Sequence, residues 1–114
     1  MSPEASQWDP EGFDVTVAEV AGRVVGFLVT RAIADEVEIL NLAVDPVNRR
    51  SGVARALVRP LLEMPSVSVF LEVRESNTAA RGLYQTLRFH EVSRRRGYYE
   101  SPCEDGIVMK FHSC

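Results

Sequence analysis

Apolar and polar positions alternate along FDVTVAEV (13–20), the period of a half-buried strand. AGR (21–23) reads as a turn, and VVGFLVTRAI (24–33) as a second strand, so the two predict a hairpin. DEVEILNLAV (35–44) is a third strand, closed by Asp45-Pro46, because proline cannot continue a ladder and restricts the residue before it. The period then changes. Val53, Leu57 and Leu61 fall on one face of a helix over 52–63, which Pro60 should kink or shorten. SVSVFLEV (66–73) is a strand with the character of a buried one. SNTAARGLYQTL (76–87) is a second helix, with Ser76 or Asn77 as N-cap and Leu83 and Leu87 four apart on one face. FHEVSRRR (89–96) and GIVMKFH (106–112) close the chain as strands, joined by a loop that holds Tyr98, Tyr99, Pro102 and Gly106. The order β-β-β-α-β-α-β-β predicts an α/β (α+β) fold, a mixed sheet with helices on its faces.

With 114 residues the chain has room for one domain and one core, so 1–114 is read as a single unit. No apolar run approaches the roughly 20 residues that span a bilayer. MSPEASQWDPEGF has neither the basic nor the apolar region of a signal peptide, which gives a cytoplasmic address by default. A net charge of −3 provides no electrostatic reason for nucleic-acid binding. Cys103 and Cys114 suggest no disulfide framework, and with His112 they match no zinc spacing, so no metal is expected.

The charge is nevertheless unevenly placed, with arginines at 49–59 and 94–96 and acidic residues at 35–38 and 100–105. In VDPVNRRSGVARAL (44–57), Arg49, Arg50, Gly52 and Arg55 surround the start of a helix. First-turn N–H groups have no partner within the helix, and the helix dipole adds partial positive charge, so phosphate binds well at such an end. Gly52 would let backbone approach the ligand. The same loop also reads as an ordinary connection with solvated arginines. It lacks the Lys-Ser/Thr of a P-loop and the G-x-G-x-x-G of a dinucleotide fold.

Glu72 lies inside the apolar strand. A carboxylate there is costly to desolvate unless it lines a cleft or has a partner such as Arg74. In a cleft it would serve as a general base; facing outward it would be an ordinary paired or solvated strand residue. Tyr84, on the second helix, reads as core or as a cleft residue. Tyr98 and Tyr99 sit where packing demands less of them.

ILNLAVDPVNRRSGVARALV resembles the acetyl-coenzyme-A motif of the GNAT acetyltransferases, an Arg or Gln, two free positions, Gly, one free position and Gly or Ala, met by Arg49, Gly52 and Ala54. FLEVRESNTAARGLYQTLRFHEVSRRRGYYESPCEDGIVMK resembles, within that family, the bacterial ribosomal-protein-alanine N-acetyltransferases. The resemblance covers roughly residues 15–111. It implies a mainly antiparallel GNAT-like sheet and acetyl transfer from acetyl-CoA to an amine, above all the N-terminal α-amine of a protein. Small amines or lysines are the alternative acceptors, and an acyl-CoA-binding module without turnover is the alternative class. The resemblance gives Leu42, Ala43 and Val44 to the pantetheine arm and thioester. Arg50, Ser51, Gly52, Val53, Ala54 and Arg55 go to the pyrophosphate, with Asn77 as a further cofactor contact. Glu72 becomes the general base, Tyr84 the general acid, and Tyr98 and Tyr99 line the peptide cleft. Asp35, Glu36 and Glu38 would attract a cationic N-terminus.

Members of the family usually place a strand and two helices before the hairpin. Residues 1–13 are therefore expected to be irregular and the first strand to be missing, with one sheet face and edge left open; either a homodimer covers them or the chain is a truncated reading frame. Arg88 also stands where the family usually has glycine, which deprives the helix end of its easy left-handed residue.

Overall fold

The computed structural model describes the backbone of residues 2–8, and residues 12–49, 51–65 and 67–112 with their side chains. The strands are β1 (Ser2–Trp8), β2 (Phe13–Val20), β3 (Arg23–Ile33), β4 (Glu36–Val44), β5 (Ser68–Arg74), β6 (His90–Tyr99) and β7 (Glu104–His112). Helix α1 (Val53–Leu62) follows β4 and a 3-10 turn, and α2 (Thr78–Thr86) follows β5. They build one seven-stranded sheet in the order β1-β2-β3-β4-β5-β7-β6. Among the described residues only β4 and β5 pair in parallel; every other neighbour is antiparallel.

The N-terminal segment differs from its expected irregularity. Ser2–Trp8 pairs with β2 in unbroken register from Ser2↔Glu19 to Trp8↔Phe13, so a first strand is present. An edge strand needs hydrogen-bond partners on one side only and tolerates proline, so the polar run SPEASQW, with Pro3, forms one without a hydrophobic signal. Only four residues separate β1 from β2, too few for the two helices of the family pattern.

Pairing parity sorts the side chains. Leu28, Val69, Leu71, Ile107 and Met109 point to the face that carries both helices, and they join Val53, Leu57, Val58, Tyr84, Leu87 and Phe89 in one buried core. Gly26 lies under α1, where an added Cβ would be 3.0 Å from the Ala43 carbonyl oxygen and 3.1 Å from Val53 Cγ1. The opposite face has no helix among the described residues, and Val15, Val17, Phe27 and Val29 lie half-buried on it. Two ion pairs hold the far end of β4: Glu38 with Arg31 at 2.8 Å, and Glu36 with Lys110. These carboxylates are thus committed within the sheet, and they stand at the start of β4 rather than at its open end.

Helix α1 runs two residues past Pro60, which has no N–H to give the Ala56 carbonyl. Helix α2 ends in a Schellman motif: Phe89 N–H donates to the Tyr84 carbonyl at 2.9 Å, and Arg88 N–H to that of Gln85 at 3.0 Å. Arg88 takes the left-handed position with φ of 72° despite its Cβ. The apolar contact that accompanies the motif is Phe89 against Tyr84, edge to face with centroids 5.2 Å apart.

Candidate active site

Parallel pairing of β4 with β5 stops after Glu38↔Phe70. Beyond it β4 follows β3 as far as Gly26↔Val44, while β5 follows β7 as far as Arg74↔Gly106. The cause of the divergence is local. Val29 pairs with Asn41 and Thr30 with Ile39, which leaves Leu40 as a bulge, and a bulge bends its strand. The two strands therefore splay and expose unpaired backbone on their facing edges.

A cleft of about 230 Å³ occupies the splay. Ile39, Leu40, Asn41 and Leu42 line it from β4, Leu71, Glu72 and Val73 from β5, and Asn77, Ala80, Leu83 and Tyr84 from the second helix and its cap. The sequence-predicted Leu42, Glu72, Asn77 and Tyr84 thus share one cavity. Asn77 caps α2, its Oδ1 accepting from Ala80 N–H at 3.1 Å, which leaves its amide NH2 for another partner.

Tyr84 is both core and cleft. Its residue is 4% exposed, yet it lines the cavity. Burial pushes its phenol up to about 12, so the proton stays in place through neutral pH. Because the folded value lies above the unfolded value of 10, the contribution to stability is complete below pH 10 and is lost as pH rises to about 12. The loss should amount to about 2–3 kcal/mol. Urea unfolding of wild type and Tyr84→Phe across that range checks it: the phenylalanine variant should lack this part of the alkaline decline.

Glu72 has a different partner from the one expected. Arg95 Nε donates to Oε2 at 2.9 Å and Arg95 Nη2 to Oε1 at 3.1 Å. Arg74 instead bonds Glu104 at 3.1 Å and lies over the Tyr99 ring at 4.4 Å. Sequence reading missed Arg95. The signal available was its place in the 94–96 arginine cluster, since the register Arg95↔Gly106↔Arg74 puts one of those arginines level with the end of β5. Tyr98 and Tyr99 are not loop residues but the end of β6, past a bulge between Arg95 and Tyr99. Their rings meet edge to face at 5.1 Å, and Tyr98 also stacks on Arg95 at 3.9 Å.

The β6–β7 segment is tied to the cap of α2. Ser76 N–H and hydroxyl, then Arg74, hold the Glu104 carboxyl below its usual range. Arg94 and the Gly97 N–H do the same for Asp105, and Arg94 also bonds Glu75 at 2.6 Å.

Around α1, Gly52 is the N-cap with φ of 85°, a left-handed conformation that glycine adopts without Cβ strain, and no side chain caps the helix. The orphan N–H groups of the first turn thus remain available. A recess beside it is lined by Gly52, Arg55, Ala56, Arg59, Pro60 and Glu63. Arg55 Nη2 also donates to Thr86 Oγ1 at 3.3 Å. Arg49 turns away, its Nε donating to the Val44 carbonyl at 3.2 Å, and the Ser51 hydroxyl donates to the Asn48 carbonyl. The Val53 side chain is core and Ala54 is half-buried, and neither residue lines the recess. Arg50 lies outside the described residues. Ala43 and Val44 are on β4 but do not line the cleft itself. Among the described residues there is no group of three or more His, Cys, Asp or Glu able to hold a metal, and no helix long and apolar enough to cross a membrane. Cys103 is exposed with a free thiol; Cys114 lies outside the described residues.

The model of the acetyltransferase (GNAT) family matches residues 1–89. The [ribosomal protein bS18]-alanine N-acetyltransferase of Escherichia coli (strain K12) is 43% identical over 94 residues, which are 77% of this chain and 64% of that protein. The N-alpha-acetyltransferase RimI of Mycobacterium tuberculosis is 38% identical over 76 residues, 66% of this chain and 48% of that protein. The chain therefore spans less than two thirds of the length of these curated relatives. The crystal structure of the ribosomal-protein-S18-alanine N-acetyltransferase from Escherichia coli superposes with a TM-score of 0.81 at 34% identity, covering 93% of this chain and 73% of that one.

Proposed function

The chain belongs to the acetyltransferase (GNAT) family, and from that premise we propose that it transfers the acetyl group of acetyl-CoA to the N-terminal α-amine of a protein, a ribosomal protein being the acceptor its relatives' names support. The observation that carries the proposal is the splay: one cavity between β4 and β5 is lined by Glu72, by Tyr84 and by residues 39–42 of β4 where they leave β5.

The residues present suit acetyl-CoA. The edge of β4 at 39–42 that faces away from β3 offers backbone hydrogen bonds to the amides of the pantetheine arm, and the amide of Asn77 adds a side-chain donor. The uncapped first turn after Gly52, with Arg55 and Arg59 at its rim, is built for a pyrophosphate. Acetyl-CoA itself supplies an activated acyl group as a thioester. The acceptor amine must be neutral to attack it. An α-amine, with a reference pKa of about 7.7–8.0, loses its proton far more readily than lysine at about 10.4. Glu72 takes that proton, directly or through a water. Backbone N–H groups of β4 polarise the thioester oxygen as negative charge builds on it. Tyr84 gives its proton to the departing thiolate, and Tyr98 and Tyr99 flank the peptide.

The test is acetyl transfer from acetyl-CoA to three acceptors: a peptide beginning with alanine, a blocked peptide with an internal lysine, and a polyamine. The alanine peptide should react fastest. Faster acetylation of either other acceptor would overturn the assigned substrate class, and acetyl-CoA binding without turnover on any of them would make the chain a binding module.

A further inference from the structure

Glu72 and Arg95 are not on adjacent strands. Glu72 is on β5 and Arg95 on β6, with β7 between them. Arg95 stands opposite Gly106 of β7, and Gly106 stands opposite Arg74 of β5, two residues beyond Glu72 on the same face. The Glu72 side chain leans over Gly106, and the Arg95 guanidinium reaches in from β6 to make both bonds to its carboxylate there. The glycine leaves that space open. A Cβ built on Gly106 would fall 2.5 Å from Glu72 Oε2 and 3.2 Å from its Cδ. On the outer side, the Tyr98 ring lies against the guanidinium at 3.9 Å and limits where it can swing. Carboxylate and guanidinium are thus joined edge to edge, with the Tyr98 ring over the guanidinium.

We infer that Arg95, meeting the Glu72 carboxylate over Gly106, is the positioning residue that fixes that carboxylate beside the cleft. The inference rests on the acetyl-transfer reading in assigning Glu72 a proton to accept. A bidentate fork sets both the place and the plane of a carboxylate, which a single bond does not. A carboxylate has about four lone-pair sites, and two bonds from Arg95 leave the others for the amine or its water. Gly106 contributes by absence, since a methyl group there would push the carboxylate off this position.

Three variants and one cycle test it. Arg95→Ala should lower kcat for the alanine peptide about ten- to hundredfold, the scale of a reacting group misplaced by an ångström, with KM for acetyl-CoA unchanged. Arg95→Lys, which restores the charge and one bond but not the fork, should recover only part of that loss. Gly106→Ala should reproduce the loss while the protein stays folded, because the atom it strikes is the end of a flexible side chain. In the Glu72→Gln background, Arg95→Ala should cost nothing further, since a residue that acts through another is silent once that partner is gone. An equal loss in both backgrounds, or a change confined to peptide KM, would overturn the inference. A second readout is independent of turnover: the Glu72 side-chain carboxyl ¹³C resonance, assigned by its disappearance in Glu72→Gln, should move in both Arg95→Ala and Gly106→Ala. If neither variant moves it, the positioning claim fails whatever the kinetics. If both move it in a protein that acetylates nothing, the acetyl-transfer reading fails and the positioning claim stands.

Discussion

Replacing Glu72 by Gln should lower kcat on the alanine peptide by about 10²–10⁴-fold, the usual contribution of a placed general base. Acetyl-CoA affinity should be unchanged, because the pyrophosphate and pantetheine groups are assigned to α1 and β4 rather than to the Glu72 carboxyl. The substitution keeps the shape of the side chain and removes its capacity to accept a proton. Steady-state kinetics and calorimetric titration with acetyl-CoA separate the two effects. A rate that is unchanged at every pH would remove Glu72 from the mechanism. A rate that returns at high pH, where the amine is already neutral, would support it, because an enzyme without its base still acetylates an amine that needs none.

The largest effect on stability should come from Phe89→Ala. Phe89 is 1% exposed, meets Tyr84 edge to face and meets Phe111 at 5.7 Å between centroids. Removing a fully buried aromatic ring costs about 3–5 kcal/mol, the lost transfer energy together with that of the cavity left behind. That is a large share of the roughly 5–15 kcal/mol that holds a domain together. The urea midpoint should fall accordingly, and Phe89→Leu, which refills part of the space, should fall less. The effect should reach the site as well. Phe89 provides the apolar contact of the Schellman motif, so without it the Tyr84 ring loses its brace at the cleft. An unchanged midpoint would mean that the α2 end is not packed as described.

What the sequence showed depended on whether a residue's role was local. Strand Phe13–Val20 and the cap of α2 at Asn77 follow from alternation and from capping chemistry, both short-range signals. Glu72 and Tyr84 were legible as candidates because a carboxylate in an apolar strand is an energetic anomaly and because their motifs resemble a known family. The partner of Glu72 was not legible. Arg74 is adjacent in sequence and two residues along the same strand, whereas Arg95 reaches it only through the pairing of β5 and β6 with β7. Strand β1 escaped for the opposite reason. As an edge strand it needs pairing but no apolar face, so its polar composition carried no periodic signal. Alternation alone did not show the splay, which only the family resemblance implied, since one bulged residue, Leu40, separates a closed sheet from an open one.

Whether the splayed cleft directs acetyl transfer to an α-amine is read from a single product analysis. A peptide beginning with alanine and carrying one internal lysine is incubated with the protein and acetyl-CoA, and fragmentation by mass spectrometry locates the acetyl group. Acetyl is expected on the N-terminal alanine and none on the lysine, with loss of that product in Glu72→Gln. Acetyl on the lysine, or on the alanine to the same extent with Glu72→Gln as with wild type, would contradict it.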